Sequence, residues 1–217
     1  MKVDFFILFS QINKEIKKIF SNKNEEVLDV GCGSKPRYHS CIKGKITCFD
    51  ALKSEITDVV GDADKLQQYF GERKFNKIIS VNSLYQFRDP KNVVAQMHSL
   101  LASFGTLVLV VPFMYPLHDI PHDRYRFSEY GIRELMANKF DIKKIKPIGG
   151  MFNLPAMVLH SAVKALSGYY KKLPVITWIL AVPLYLLYLL AQIFSLLDFF
   201  DRSGRFVCLY LVVASKN

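Results

Sequence analysis

Between Glu25 and about Gly150 the chain alternates short apolar runs with stretches whose apolar residues recur at helical spacing, and this alternation limits the fold more than any other feature. Such a pattern specifies a parallel sheet whose strands are joined by crossover helices. The apolar runs predict strands at Glu26–Val30, Lys45–Asp50, Asp58–Gly61, Asn76–Val81 and Thr106–Val111, followed by Asp141–Ile148 and Phe206–Ala214, seven in all. Between the fourth and fifth, Pro90–Ala102 carries Val93, Val94, Met97, Leu100 and Leu101 on one helical face. A loop containing Pro112, Pro116 and Pro121 then leads to Ser128, an N-cap residue for a helix through Ala137.

The regular pattern stops near Gly150. From Leu173 to Leu197 there is no charged residue, and only Thr177, Gln192 and Ser195 interrupt the run as polar groups. As a helix this stretch reaches about 37 Å, enough to cross a hydrocarbon layer of about 30 Å. Topology argues against a crossing, because the strand expected at Phe206–Ala214 must return to the same sheet as Asp141–Ile148. Phe152–Tyr170, which would have to cross as well, contains His160 and Lys164 and is short. The reading is a helical hairpin lying in or dipping into one leaflet, with Lys171 and Lys172 at its bend and Arg202 and Arg205 at its exit. The alternative is that these helices cover one face of the domain or form a dimer interface. A mean hydropathy of +0.16 shows that the chain is greasier than a core requires. Its formal charge of +10 favours a polyanionic partner, either nucleic acid or an anionic membrane face.

Residues 1–24 are expected to form an amphipathic helix to about Phe20; Phe5–Phe9, with Asp4 in its head, is too short an apolar run for a signal peptide. Cys32, Cys41, Cys48 and Cys208 form no CxxC pair or regular framework, which argues against a zinc ribbon or disulfide scaffold and for a reducing compartment. The expected organisation is therefore 1–24 helix, 25–150 core, 151–204 hydrophobic insertion and 205–217 last strand of the core.

The first strand ends in Asp29 and is followed at once by Gly31 and Gly33, as needed where backbone turns sharply under a ligand. The next strand ends in Asp50, placed for a carboxylate that accepts both ribose hydroxyls, and Asp62 closes the third. A pyrophosphate wants three glycines and an open helix N-terminus with no carboxylate in contact. Here Asp29 precedes the turn and Pro36 occupies the third-glycine position, which suits a sulfonium ligand bearing an ammonium group, S-adenosylmethionine, better than a dinucleotide.

Several segments resemble class I S-adenosylmethionine-dependent methyltransferases of the type 11 group. They are Val27–Pro36, Gly61-Asp62-Ala63, Phe75–Ser80 and Asp89-Pro90, with Val111–His118 and Pro121–Phe127 the most particular. The last two are similar to a segment of methyltransferases associated with bacterial polysaccharide and cell-envelope genes. The resemblance implies a Rossmann-like seven-stranded sheet with helices on both faces, into which the hydrophobic helical hairpin read above is inserted before the last strand. It implies that Asp29, Gly31, Cys32 and Gly33 border the methionine half of the cofactor, that Asp50 and Ala51 meet the ribose, that Asp62 and Ala63 meet the adenine, and that Asn82 closes over the methionine by its backbone. Gln86 stands where the family often has His, and Ser103-Phe104-Gly105 replaces its usual Lys-Pro-Gly-Gly turn.

Methyl transfer to a hydroxyl needs a general base, and the loop after the fifth strand offers His118, Asp119, His122, Asp123 and Tyr125 at the carboxyl edge of the sheet. His118 is slightly preferred to His122, with Asp123 as orienting group or alternative base. The opposing possibility is that Asp123 pairs with Arg124 or Arg126 to fix the loop. Pro121 makes a helical His-x3-His metal site improbable, and no metal is expected. The expected function is O-methylation of a lipid-linked, glycan or other small-molecule acceptor by a cytoplasmic enzyme peripheral to the inner face of the membrane, with oligomerisation through the insertion a further option. Two alternatives stand beside it: methylation of RNA or a soluble metabolite, and a non-catalytic cofactor-fold module at a membrane. Against RNA, no RNA-binding motif is present, and the lysines of Ile142–Lys146 alternate as on the exposed face of a strand.

Overall fold

The computed structural model describes residues 6–168 and 174–216. Its secondary structure runs α1 (Phe6–Ile19), β1 (Glu26–Val30), β2 (Lys45–Asp50), β3 (Val59–Val60), α2 (Leu66–Phe70), β4 (Phe75–Val81), α3 (Pro90–Leu100), β5 (Leu101–Pro112), α4 (Glu129–Met136), β6 (Phe140–Ile148), α5 (Leu154–Gly168), α6 (Pro174–Phe194) and β7 (Leu209–Lys216). The strands form one sheet in the order β3-β2-β1-β4-β5-β7-β6. β1 to β5 are parallel and β7 runs antiparallel to β5, from Thr106 opposite Ser215 to Pro112 opposite Leu209. The expected fold class is the one observed.

The chain divides into two compact units, one of residues Asn13–Phe113, Leu117–Lys146 and Leu209–Asn217, the other of Met1–Ile12, Met114–Pro116 and Pro147–Cys208. The first holds most of the sheet. Val27, Leu28 and Val30 of β1 and Leu107 to Val111 of β5 are buried on both faces, as parallel strands covered by helices require. α3 is started by Asp89, whose side chain accepts from Asn92 N at 3.0 Å, with Pro90 in the first turn. It buries Val93, Val94, Met97 and Leu100, each worth about 1.5–3 kcal/mol as an upper estimate. Ser128 caps α4 as expected, accepting from Gly131 N at 3.2 Å. Glu15 of α1 takes Lys144 at 2.8 Å and Lys146 at 2.9 Å from β6. Two of the lysines that gave β6 its basic look are therefore bound within the fold.

Five strands differ from expectation; β4 and β6 each begin one residue earlier, and β3, β5 and β7 differ at both ends. β3 is only Val59–Val60, because the Asp58 carboxylate leaves the strand pattern to accept Cys48 N at 2.7 Å. β5 begins at Leu101: Phe75 pairs with Leu101 and then Lys77 with Thr106, so Ser103-Phe104-Gly105 is a bulge, with Phe104 at φ 59°. β7 starts at Leu209 because its ladder partner β5 ends at Pro112. In the second unit α5 and α6 pack together, and all four cysteines of the chain are free thiols. The expected bend at Lys171 and Lys172 lies outside the described residues.

Candidate active site

The chain leaves β1 toward β2 and β3 on one side and resumes at β4 on the other, so the carboxyl ends of β1 and β4 border the switch point where open α/β sheets bind ligands. A cleft of about 480 Å³ opens nearby. Gly31, Phe49, Asp50, Ala51, Leu52, Gly61, Asp62, Ala63 and Asp64 line one part of it, and Gln86, Phe87, Arg88, His122 and Arg124 also line it.

The Gly31–Gly33 turn is shaped by backbone and packing. Gly31 has φ 78°, and a Cβ there would lie 2.4 Å from Ser83 Cβ; Gly33 has φ 66° with open space around it. Gly33 N donates to Asp50 Oδ2 at 2.8 Å and Leu52 N to Asp50 Oδ1 at 2.9 Å. Two amides thus aim the Asp50 carboxylate while leaving lone pairs on both oxygens. Asp62 caps the turn that follows β3, its Oδ1 accepting from Asp64 N at 3.0 Å.

Asp29 is fully buried and does not line the cleft. Its Oδ2 accepts from Tyr38 Oη at 2.7 Å and meets His39 Nε2 at 2.6 Å, which ties the turn Arg37–Cys41 to β1. Burial pushes its carboxyl above the usual range, against the opposing pull of His39 and Tyr38. Cys32 is buried as well, its thiol pushed up by burial and by Asp29, so it offers no nucleophile. Gly33, Asn82, Asp29 and Cys32 therefore support or neighbour the cleft, whereas Gly31, Asp50, Ala51, Asp62 and Ala63 line it.

The side chains suit an adenosyl sulfonium. Asp64 Oδ1 in the cleft lining, with Asp29 Oδ1 and Asn82 Oδ1 outside it, is a buried acceptor with no hydrogen-bond partner among the described residues, matching in kind a ligand rich in donors: an ammonium, a ribose diol and an exocyclic amine. Phe49, Ala51, Leu52, Ala63 and Phe87 add apolar surface for a purine.

In the loop after β5, Asp123 has a side chain only 1% exposed. It is paired with both Arg126 guanidinium nitrogens, Nη2 at 2.8 Å, and accepts His118 N at 2.9 Å. His118 Nδ1 lies 3.2 Å from Asp123 Oδ2, and His118 Nε2 lies 2.8 Å from the Tyr85 hydroxyl. That hydroxyl also donates to Asp119 Oδ2 at 2.6 Å and accepts from Gln86 Nε2 at 2.9 Å. Both ring nitrogens of His118 are engaged, and His118 does not line the cleft, whereas His122 does. Asp123 takes the loop-fixing part, through Arg126. His122 lines the cleft, with Nδ1 3.4 Å from Arg124 Nη2. Sequence reasoning missed Tyr38, His39, Tyr85, Arg88 and Arg124; of these only Arg124 had been considered, and only as a partner for Asp123.

The Arg126 guanidinium, with His118 beside it, lowers the Asp123 carboxyl to about 2, and Lys144 and Lys146 do the same for Glu15. Both folded pKa values lie below the unfolded ones, so the stabilisation is complete above about pH 5–6 and is lost as pH falls through about 2. Chemical denaturation is expected to show a loss on the order of 2–3 kcal/mol per group across that window. Arg126→Ala should lower stability at pH 7 by about 2–4 kcal/mol, because it leaves a buried carboxylate short of its partner, and should flatten the acid limb.

An acid-lined cleft at the switch point of a seven-stranded sheet with antiparallel β7 defines a Rossmann-like class I S-adenosylmethionine-dependent methyltransferase. The chain belongs to the methyltransferase domain family, whose profile matches residues 7–143. The match names the methyltransferase domain and not the type 11 group. No curated protein matches the chain in sequence. Among solved structures it is similar to the [4+2]-cyclase SpnF, at 12% identity and TM-score 0.63, over 95% of this chain and 80% of that one. It is also similar to 1,6-didemethyltoxoflavin-N1-methyltransferase of Burkholderia thailandensis with bound S-adenosylhomocysteine, at 14% identity and TM-score 0.55, over 94% and 78%. A third is coclaurine N-methyltransferase bound to N-methylheliamine and S-adenosylhomocysteine, at 11% identity and TM-score 0.57, over 95% and 72%. The enzyme uses S-adenosylmethionine as methyl donor.

Proposed function

We propose that this methyltransferase works at the cytoplasmic face of a membrane and methylates an oxygen of a lipid-linked or glycan-related acceptor. The carrying observation is the inverted polarity of α6. Its buried side holds Tyr188 and Gln192 beside the small Ala181 and Ala191, with Gln192 Nε2 donating to the Tyr188 hydroxyl and Ser195, just past the helix, donating to Gln192 O, while the large Ile179, Leu186, Leu190 and Ile193 stand exposed. A helix of a water-soluble protein has the opposite arrangement. The stretch Ile179–Phe200 has a hydropathy of 2.1 and is only 28% buried. Exposed Phe199 and Phe200 extend the apolar surface, and exposed Arg202 and Arg205 follow it, as at a headgroup boundary. An in-plane seat fits better than a crossing: α5, with 15 residues, rises about 22 Å, short of a bilayer core. The likeness of Val111–His118 and Pro121–Phe127 to cell-envelope methyltransferases supports the acceptor class.

In the cleft, Asp50 holds the ribose, Ala51 lies beside it, and Asp62 and Ala63 meet the adenine. Asp29, Gly31, Cys32, Gly33 and Asn82 shape the methionine end. When bound, the sulfonium would supply the methyl group, its bond to sulfur breaking as the bond to the acceptor oxygen forms. His122, which lines the cleft, takes the hydroxyl proton on its unprotonated ring nitrogen. His122→Ala is expected to lower kcat by about a hundredfold or more without changing S-adenosylmethionine affinity, whereas His118→Ala should act mainly on loop stability. Equal loss of kcat in the two variants at unchanged stability would remove the distinction.

The acceptor is tested by incubating the protein with methyl-labelled S-adenosylmethionine and separated cell fractions. Label in the lipid-linked glycan fraction, stable to mild base as an ether, supports the proposal. Label confined to RNA or to soluble metabolites overturns it.

A further inference from the structure

The cleft carries two kinds of charge, and the proposed cofactor contacts account for only one of them. Asp50, Asp62 and Asp64 are the acidic lining; Arg88, Arg124 and His122 are the basic one. The two basic segments are strapped together: Arg124 N and Tyr125 N donate to Tyr85 O, each at 3.2 Å, the Tyr125 hydroxyl donates to Arg88 O at 2.9 Å, and Arg124 Nη1 donates to Gln86 O. This brings Arg88 and Arg124, far apart in sequence, to one rim.

Their charge is not neutralised. Arg126, two residues from Arg124, is spent on Asp123. Arg124 is held by the carbonyls of Gln86 and His122, which orient a guanidinium without cancelling its charge, and neither Arg88 nor Arg124 forms an ion pair among the described residues. A loop that pairs one arginine with a buried carboxylate and leaves its neighbour charged in the cleft is arranged for an anion supplied from outside.

We infer that the methyl acceptor is anionic, carrying a phosphate or carboxylate group that Arg88 and Arg124 grip beside His122. The inference rests on the reading of this cleft as the methyl-transfer site, and it narrows the acceptor from a lipid-linked or glycan-related molecule to one with a negative group close to the methylated oxygen. Two guanidiniums lining one cleft would fix that group, and so set which oxygen faces the sulfonium.

The test uses the full chain, saturated with S-adenosylhomocysteine, and three probes: phenyl phosphate, benzoate and neutral phenyl glucoside. Ligand-observed NMR is expected to show saturable binding of at least one anion and none of the glucoside. The Arg88→Gln/Arg124→Gln double variant should weaken anion binding at least tenfold and keep S-adenosylhomocysteine affinity, by calorimetry, within about threefold. Phenyl phosphate preferred over benzoate assigns a phosphate, and the reverse a carboxylate. If S-adenosylhomocysteine binds but neither anion does, or both bind the variant equally well, the inference fails while the cofactor reading stands. If the variant instead loses S-adenosylhomocysteine, the arginines hold the cofactor's own carboxylate and the inference is overturned. If the wild-type chain does not bind S-adenosylhomocysteine at all, the reading of the cleft falls, and the inference with it.

Discussion

Replacing Asp50 with alanine is expected to lower S-adenosylmethionine affinity by about a hundredfold or more. Two hydrogen bonds from ribose hydroxyls to an ionised carboxylate are worth about 1.5–3 kcal/mol each, and about 1.4 kcal/mol is a factor of ten. The variant also leaves the amides of Gly33 and Leu52 without their acceptor, loosening the turn between β1 and the cleft. Asp50→Asn keeps an acceptor oxygen and should lose less. Calorimetric titration against S-adenosylmethionine, with circular dichroism to confirm the fold, makes the measurement. Undiminished affinity in the alanine variant would remove Asp50 from the ribose.

The second large effect is expected on membrane binding. Leu186, Leu190 and Ile193 lie on the exposed stripe of α6, and changing all three to serine removes three large apolar side chains without touching the buried Tyr188, Gln192 or Ser195. With about half of the 1.5–3 kcal/mol of each side chain realised at an interface, the triple variant should bind anionic vesicles about forty- to two-thousandfold less tightly. Its thermal stability should stay close to that of the parent, because exposed positions away from caps and ion pairs rarely move stability. Sedimentation with phosphatidylglycerol-containing vesicles reads the difference. A parent protein that stays in the supernatant would end the membrane proposal, and a parent that instead forms a dimer broken by the same three changes would assign the stripe to a second copy.

β1 and β2 were legible to the residue, because each is a short apolar run with acids and glycines close by, and local pattern decides such strands. β5 and β7 were not. Ser103-Phe104-Gly105 has turn chemistry, yet it is carried inside β5 as a bulge because Leu101 still finds Phe75 across the sheet. Phe206 and Val207 are as apolar as the strand they precede, but their place depends on where β5 ends. Pairing between segments about a hundred residues apart is not written in either segment.

The cofactor side of the cleft follows the same division. Positive φ at Gly31 and Gly33 is a backbone demand that only particular residues meet cheaply, so glycines mark it in the sequence. Acids at the ends of successive strands are readable because strand ends are readable. The different surroundings of His118 and His122 were not, since spacing treats them alike; Tyr85, 33 residues from His118, engages its Nε2, while His122 lines the cleft. The uncharged run after Leu173 told by composition alone that a large apolar surface exists. Only the packing of α6 against α5 showed that Tyr188 and Gln192 turn inward and Leu186, Leu190 and Ile193 outward, because which side of a helix is covered depends on the neighbour it meets. The sequence by itself therefore determined what local chemistry enforces: the strand-and-helix alternation, the glycine turn and the acids beyond it. Tertiary structure alone decided which polar atoms are already partnered and which are left for a ligand, because hydrogen bonds and ion pairs are settled by distance in space.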